Sequence, residues 1–71
     1  MKIKELDLHN IRHEDVDRLV ENFVLLNNPP LTIITGKSLR MQKLVRNVLD
    51  RHNFHYEQWS NPGEYKILGN F

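Results

Sequence analysis

Residues 6–9 of the chain have the sequence Leu6-Asp7-Leu8-His9, in which apolar and polar side chains alternate. A period of two is typical of a β-strand that covers a core with one face only. We therefore expect Leu6 and Leu8 to face inward, and Asp7 and His9 to project together from the other face near the strand's carboxyl end. Asn10 follows, a residue that tolerates the left-handed backbone and suits a strand exit.

The remaining sequence predicts two amphipathic helices and three more strands. Apolar residues recur at helical spacing over residues 13–27 and 39–52, and the first of these helices stops at Asn27-Asn28-Pro29-Pro30 because proline cannot continue it. Strand-favouring residues occupy 31–35, 54–59 and 64–71, the last two runs being joined by a predicted turn at 60–63. These elements predict an α/β fold, a small two-layer β-α-β-α-β-β sandwich with a four-stranded mixed sheet and both helices on one face.

Length and composition limit the class of protein. A chain of 71 residues has room for a single domain, spanning 1–71, with one core. Cysteine is absent, which excludes disulfides and thiolate metal sites and favours a reducing compartment. No apolar run approaches the roughly 20 residues that cross a bilayer, and the first five residues carry charges where a signal peptide is apolar. We therefore predict a cytoplasmic protein without a membrane partner.

Charge is distributed unevenly although the net charge is only +1. Residues 13–28 contain four acidic residues and one basic residue, whereas residues 37–52 contain five basic residues and one acidic residue. The first helix is therefore acidic and the second basic. A basic helix face favours contact with the phosphates of a nucleic acid, the alternative being an ordinary solvated surface.

The turn after the second strand is a candidate phosphate site. Thr35-Gly36-Lys37-Ser38 is expected at the same end of the sheet as Asp7 and His9, where ligands of open α/β sheets tend to bind. Backbone amides there, with Ser38 as the N-cap of the second helix, are suited to hold a phosphate. A nucleotide-binding P-loop is excluded, because Leu31 stands where that motif requires its first glycine.

Two motifs in this sequence resemble the Smr (small MutS-related) domain family. Leu6-Asp7-Leu8-His9, followed by the acidic pair Glu14-Asp15, is similar to the L-D-L-H-G opening of that family. Ile34-Thr35-Gly36-Lys37 lies where the family has an H-G-x-G or T-G-x-G motif. The order of elements is also similar over nearly the whole chain. The resemblance implies the fold that Smr domains share with the C-terminal domain of translation initiation factor three.

The resemblance also implies a function in nucleic-acid binding, with cleavage of DNA or RNA. Asp7 and His9 match the pair that the family uses for cleavage. Three positions depart from the pattern: Asn10 replaces a glycine, Thr35 replaces the histidine of one family branch, and Ser38 replaces the second glycine. The last change weakens the case for close backbone approach to a phosphate. Thr35 cannot carry protons, so His9 would carry more of the proton transfer.

The predicted site therefore has a catalytic part and a binding part. Asp7 and His9 are the predicted catalytic residues, with Asp7 as a hard oxygen ligand for Mg²⁺ or Mn²⁺ and no organic cofactor expected. The predicted binding residues for RNA or DNA surround the second motif and follow the second helix: Thr35, Gly36, Lys37, Ser38, Arg40, Lys43 and Arg46.

Three other interpretations of the sequence stay open. The same fold can serve as a non-catalytic RNA- or DNA-binding module, or as a small adaptor whose acidic first helix docks a protein partner. The histidine pairs His9/His13 and His52/His55 have spacings found at zinc sites. Structural zinc sites usually include cysteine, and the second pair flanks a helix end, so zinc is the weaker hypothesis.

Overall fold

A computed structural model of the chain describes residues 4–58 and 63–70. The predicted order of elements is confirmed. Four strands and two helices follow one another as β1 (Lys4–Asp7), α1 (His13–Leu26), β2 (Leu31–Ile34), α2 (Leu39–Arg51), β3 (Phe54–Glu57) and β4 (Glu64–Asn70).

Element ends lie close to the predicted positions, and local chemistry accounts for most of them. The Asn27 side chain donates a hydrogen bond of 2.8 Å to the Phe23 carbonyl and so satisfies one free carbonyl of the last turn of α1. Ser38 is the N-cap of α2, as predicted, and its hydroxyl accepts a 3.2 Å bond from the Met41 amide. Strand β3 ends at Glu57, two residues earlier than predicted, and most of the predicted turn at 60–63 lies outside the described residues.

The sheet has the strand order β1-β2-β4-β3. Strands β1 and β2 are parallel, as expected for two strands joined by a helix, and β3 and β4 form the predicted antiparallel pair. Strand β4 also pairs antiparallel with β2, so it lies between β2 and β3. The sheet is therefore mixed, and the last strand of the chain occupies a central position.

Both helices cover one face of this sheet. Leu8, Val20 and Val45 are fully buried, which confirms their predicted place in the core and the inward face of β1. The other buried apolar side chains come from every layer of the domain: Val16, Val24, Leu31, Ile33, Met41, Val48, Leu49, Phe54, Tyr65 and Ile67. Within the described part of the chain, neither helix is both long enough and apolar enough to cross a membrane.

Candidate nucleic-acid and catalytic site

The candidate site lies where three strands meet at one end of the sheet. Asp7, the last residue of β1, is opposite Ile34, the last residue of β2, and Ile34 is opposite Glu64, the first residue of β4. The Leu8 amide extends the first pairing with a 2.9 Å bond to the Ile34 carbonyl. His9, the turn at Gly36 and the residue preceding β4, Gly63, are thereby brought to the same place.

Asp7 and His9 form a hydrogen-bonded pair. Nδ1 of His9 is 2.6 Å from Oδ1 of Asp7, and the His9 amide donates a 2.9 Å bond to the same oxygen. Both side chains are more than half exposed, at 60% for Asp7 and 57% for His9, so a ligand can reach them. The predicted juxtaposition of Asp7 and His9 is therefore present at the strand end.

The contacts with His9 also explain the ionisation of Asp7. The His9 backbone amide, followed by the His9 imidazole, stabilises the carboxylate and lowers the pKa of Asp7 below its ordinary value. Because a carboxylate only accepts hydrogen bonds, Nδ1 of His9 must carry the proton that it shares with Asp7. In a neutral imidazole, Nε2 is then left with a free lone pair.

Gly36 lies against the imidazole of His9. A Cβ atom on residue 36 would be 2.9 Å from Nε2 of His9, which is closer than real Cβ contacts allow. The backbone of Gly36 also has φ of +70°, in the left-handed region that favours glycine. Residue 36 therefore favours glycine, because its backbone is left-handed and because any other side chain would require the exposed His9 ring to shift.

Gly63 contacts the Gly36 turn, which in turn lies against His9. Its carbonyl accepts hydrogen bonds from the amides of Thr35 and Gly36, at 2.7 and 3.1 Å. A Cβ on residue 63 would be 3.0 Å from the Gly36 backbone, so the two chains approach as closely as glycine permits. From the sequence, Gly63 is expected only as part of a turn. Its role depends on β4 lying beside β2, which no local sequence signal specifies.

Thr35 and Gln42 hold the Gly36 turn from the inside. Thr35 is only 4% exposed, and its hydroxyl lies 2.9 Å from the Gly36 carbonyl and 3.2 Å from that of Gly63. Gln42 is 8% exposed and donates a 3.2 Å bond to the Gly36 carbonyl. The burial of Thr35 prevents direct contact between its side chain and a nucleic acid, so its contribution to the predicted site is to fix the turn. Gln42 is not among the site residues predicted from the sequence, although a glutamine on the apolar stripe of α2 is a usable signal.

The four predicted basic residues, Lys37, Arg40, Lys43 and Arg46, are exposed, from the Gly36 turn along α2. None of the four forms an ion pair with an acidic residue within 4–58 and 63–70. Arg46 lies near the buried Tyr65, where its charge partly opposes the effect of burial, which raises the pKa of Tyr65. The exposed positive charge of α2 is thus available to an external anion.

Arg51 does not belong to this basic surface, although it was counted in the charge of the second helix. Its guanidinium contacts Asp17 of α1 at 2.6 Å and Glu21 at 3.4 Å. The hydrogen bond from Arg51 lowers the pKa of Asp17. Nε2 of His52 lies 3.2 Å from Glu21 as well. The acidic residues of α1 near the end of α2 are therefore partly neutralised within the domain.

A groove separates the starts of the two helices. It has a volume of about 510 Å³ and is lined by Ile11, Arg12, His13, Glu14 and Arg40. Arg40 was predicted as a binding residue, whereas Arg12 and His13 were not. The sequence signal that could have identified them is their position immediately before the acidic pair Glu14-Asp15, but no recognised motif includes them.

Asp7 suits a metal that needs few protein ligands. Within residues 4–58 and 63–70, no three His, Asp or Glu side chains are grouped to hold an ion. Oδ1 of Asp7 is occupied by His9, and no described residue donates a hydrogen bond to Oδ2. Mg²⁺ commonly binds through one or two carboxylates while keeping several waters and substrate phosphates, so a single free carboxylate oxygen fits it. A zinc site with several protein ligands is not assembled among these residues.

These features define a class of protein: a small two-layer α/β domain with a carboxylate–imidazole pair beside a glycine turn at one end of its sheet. The fold is similar to the solution structure of the SMR domain of NEDD4-binding protein 2, with a TM-score of 0.63 and 22% sequence identity. The similarity covers 100% of this chain and 90% of that chain. No protein-family model and no curated protein matches the sequence. This chain has the fold of an Smr domain, which confirms the fold predicted from its two motifs.

Proposed function

We propose that this domain binds RNA or DNA and hydrolyses a phosphodiester bond, assisted by Mg²⁺ or Mn²⁺. One observation carries the proposal: an imidazole oriented by a carboxylate lies beside the glycine turn, and from that turn onward four exposed basic residues have no acidic partner among the described residues. The absence of cysteine keeps the cytoplasm as the proposed location.

Binding is assigned to the exposed basic residues that have no acidic partner within the described part of the chain. Lys37, Arg40, Lys43 and Arg46 are exposed, whereas Arg18 and Arg51 are paired with carboxylates of α1. A charge that is already paired gains less from a phosphate, because the existing contact must first be broken. Neutralising phosphates with unpaired charges releases condensed counterions, and that release is a main source of affinity for nucleic acids.

Cleavage is assigned to His9 with Asp7 as its partner. In the proposed reaction, Nε2 of His9 accepts a proton from a water molecule, whose oxygen then bonds to phosphorus while the bond from phosphorus to the leaving oxygen breaks. The leaving oxygen takes up a proton from solvent water, and His9 afterwards releases the proton that it accepted to solvent. Asp7 fixes the ring through Nδ1 and stabilises the positive charge that His9 acquires. A divalent ion on the remaining Asp7 oxygen would neutralise charge that develops on the phosphate.

A cleavage assay tests this proposal. Purified protein is incubated with single- and double-stranded RNA and DNA, with EDTA, Mg²⁺ or Mn²⁺, and binding to the same substrates is measured in parallel. Metal-dependent cleavage by the wild type, lost in Asp7→Asn, supports the complete proposal. Binding without cleavage identifies a non-catalytic module, an outcome to which Ser38 and Thr35 in the second motif already point. If neither activity is found, the proposal is wrong and a protein-binding adaptor becomes the leading hypothesis.

A further inference from the structure

The groove between the starts of α1 and α2 has a lining that suits a second phosphate. Its two arginines come from different elements, Arg12 from the segment before α1 and Arg40 from the first turn of α2. Guanidinium groups are planar forks of donors that match phosphate oxygens, so two of them lining one groove favour an anion there.

Both arginines are available to a ligand. Arg40 has no acidic partner among the described residues. Among the described residues, the one ion pair of Arg12 is with Glu14, at 3.5 Å, and the two side chains of that pair are 81% and 73% exposed. An ion pair so exposed contributes little, because solvent screens it, so a phosphate can displace Glu14 from Arg12 readily.

The groove begins close to the proposed catalytic pair. Ile11 and His9 are two residues apart, so at most about 7 Å of backbone separates them. The Ile11 amide donates a 3.1 Å bond to the Leu8 carbonyl, which turns the chain back towards the strand end. The wall of the groove at Ile11 is therefore close to the strand end that carries Asp7 and His9.

We infer that Arg12 and Arg40 together bind the backbone phosphate adjacent to the one held at His9, with Ile11 against the sugar or base between them. The inference rests on the proposed function and adds a binding position to it. The groove thereby sets the path of the strand, which passes from the Asp7–His9 pair between the two helix starts. Glu14 opposes binding, because its charge lies in the same groove and competes for Arg12.

Fluorescence anisotropy with short, labelled single-stranded RNA and DNA, measured over a series of salt concentrations in EDTA, tests the inference. Arg12→Gln should weaken binding several-fold and reduce the slope of log affinity against log salt by about 1, as for one lost phosphate contact. The double variant Arg12→Gln/Arg40→Gln should lose less than the sum of the single losses, because both residues hold the same phosphate. Glu14→Gln should tighten binding.

The matched control is Arg18→Gln, since Arg18 is also exposed on α1 and paired with a nearby carboxylate, Asp15, but does not line the groove. It should leave the affinity and the salt slope nearly unchanged. If Arg12→Gln behaves like Arg18→Gln while Lys43→Gln still weakens binding, the second phosphate position is wrong and the proposed function stands. If the wild type binds neither probe, the proposed function and this inference are both wrong.

Discussion

Nε2 of His9 lies against Gly36, so close that a Cβ atom on residue 36 would be only 2.9 Å from it. Any side chain at the glycine position of the second motif would therefore require the histidine ring of the first motif to shift. Although His9 and Gly36 are 27 residues apart in the sequence, their two motifs form one structural unit at the ends of β1 and β2.

Gly36→Ala is the direct test of this relationship. Alanine at φ of +70° is strained, at a cost of about 1–2 kcal/mol, and its methyl group must also displace His9. We expect a lower free energy of unfolding in urea and shifted NMR resonances of the His9 ring. Gly36→Asn is the companion variant, because asparagine tolerates the left-handed backbone but still places a Cβ atom against the His9 ring. If neither variant changes the His9 resonances, the contact does not exist in solution.

Asp7→Asn and His9→Ala should each reduce cleavage by roughly 100-fold or more while leaving binding largely intact, if the domain is a nuclease. Asp7→Asn keeps the size of the side chain and removes the charge that orients His9 and would hold a metal. Initial rates on the best substrate, with affinities measured separately, check this expectation. Equal cleavage by wild type and Asp7→Asn would show that the catalytic assignment is wrong even though the fold is right.

Charge reversal on α2 should weaken nucleic-acid binding without unfolding the domain. Arg40→Glu and Lys43→Glu alter exposed side chains that have no acidic partner among the described residues, so the core is unaffected. Each substitution should reduce the slope of log affinity against log salt concentration by about 1, and it should markedly lower the affinity at low salt. Arg18→Glu makes the same charge change outside this surface and is the control. An affinity that changes neither with the charge reversals nor with the salt concentration would contradict the proposed binding surface.

Leu8→Ala should cost about 2–5 kcal/mol, because Leu8 is fully buried and the smaller side chain leaves a cavity. A domain of this size has a total stability of about 3–5 kcal/mol, so the variant should be partly or wholly unfolded at room temperature. Thermal and urea unfolding followed by circular dichroism measure the loss. Leu26→Ala, at a side chain that is 79% exposed, is the matched control and should unfold like the wild type.

The contact between Asp17 and Arg51 should make stability fall in acid. The pKa of Asp17 is lowered in the folded domain, so its contribution is present above the ordinary value of 3.8 and is lost as pH falls through the folded pKa. Asp17→Asn should therefore be less stable than the wild type at neutral pH, and the difference should shrink below about pH 4. Urea unfolding across this range measures it. In an Arg51→Gln background the same substitution should have much less effect, and an undiminished effect there would exclude Arg51 as the cause.

Local sequence signals determined most of the secondary structure and, within the candidate site, the Asp7–His9 pair and the Ser38 cap. The period-two pattern of residues 6–9 predicted the buried Leu8, whose amide still pairs with Ile34 beyond the end of β1. It also predicted the exposed pair of Asp7 and His9, although β1 ends at Asp7 and His9 lies in the turn that follows. Ser38 was predictable as a cap for a similarly local reason, since its hydroxyl bonds an amide three residues ahead. Such features depend on neighbours in the chain, and the sequence alone specifies them.

The tertiary structure decided what depends on residues far apart in the chain. The central position of β4 brings Gly63 under the Gly36 turn, and a hairpin pattern does not reveal which second strand β4 will pair with. Packing of α1 on α2 then separates the basic residues into those already neutralised, such as Arg51, and those available to a ligand, such as Arg40. Charge counting cannot make that distinction, because an ion pair depends on a distance of a few ångströms between side chains that only the folded chain brings together.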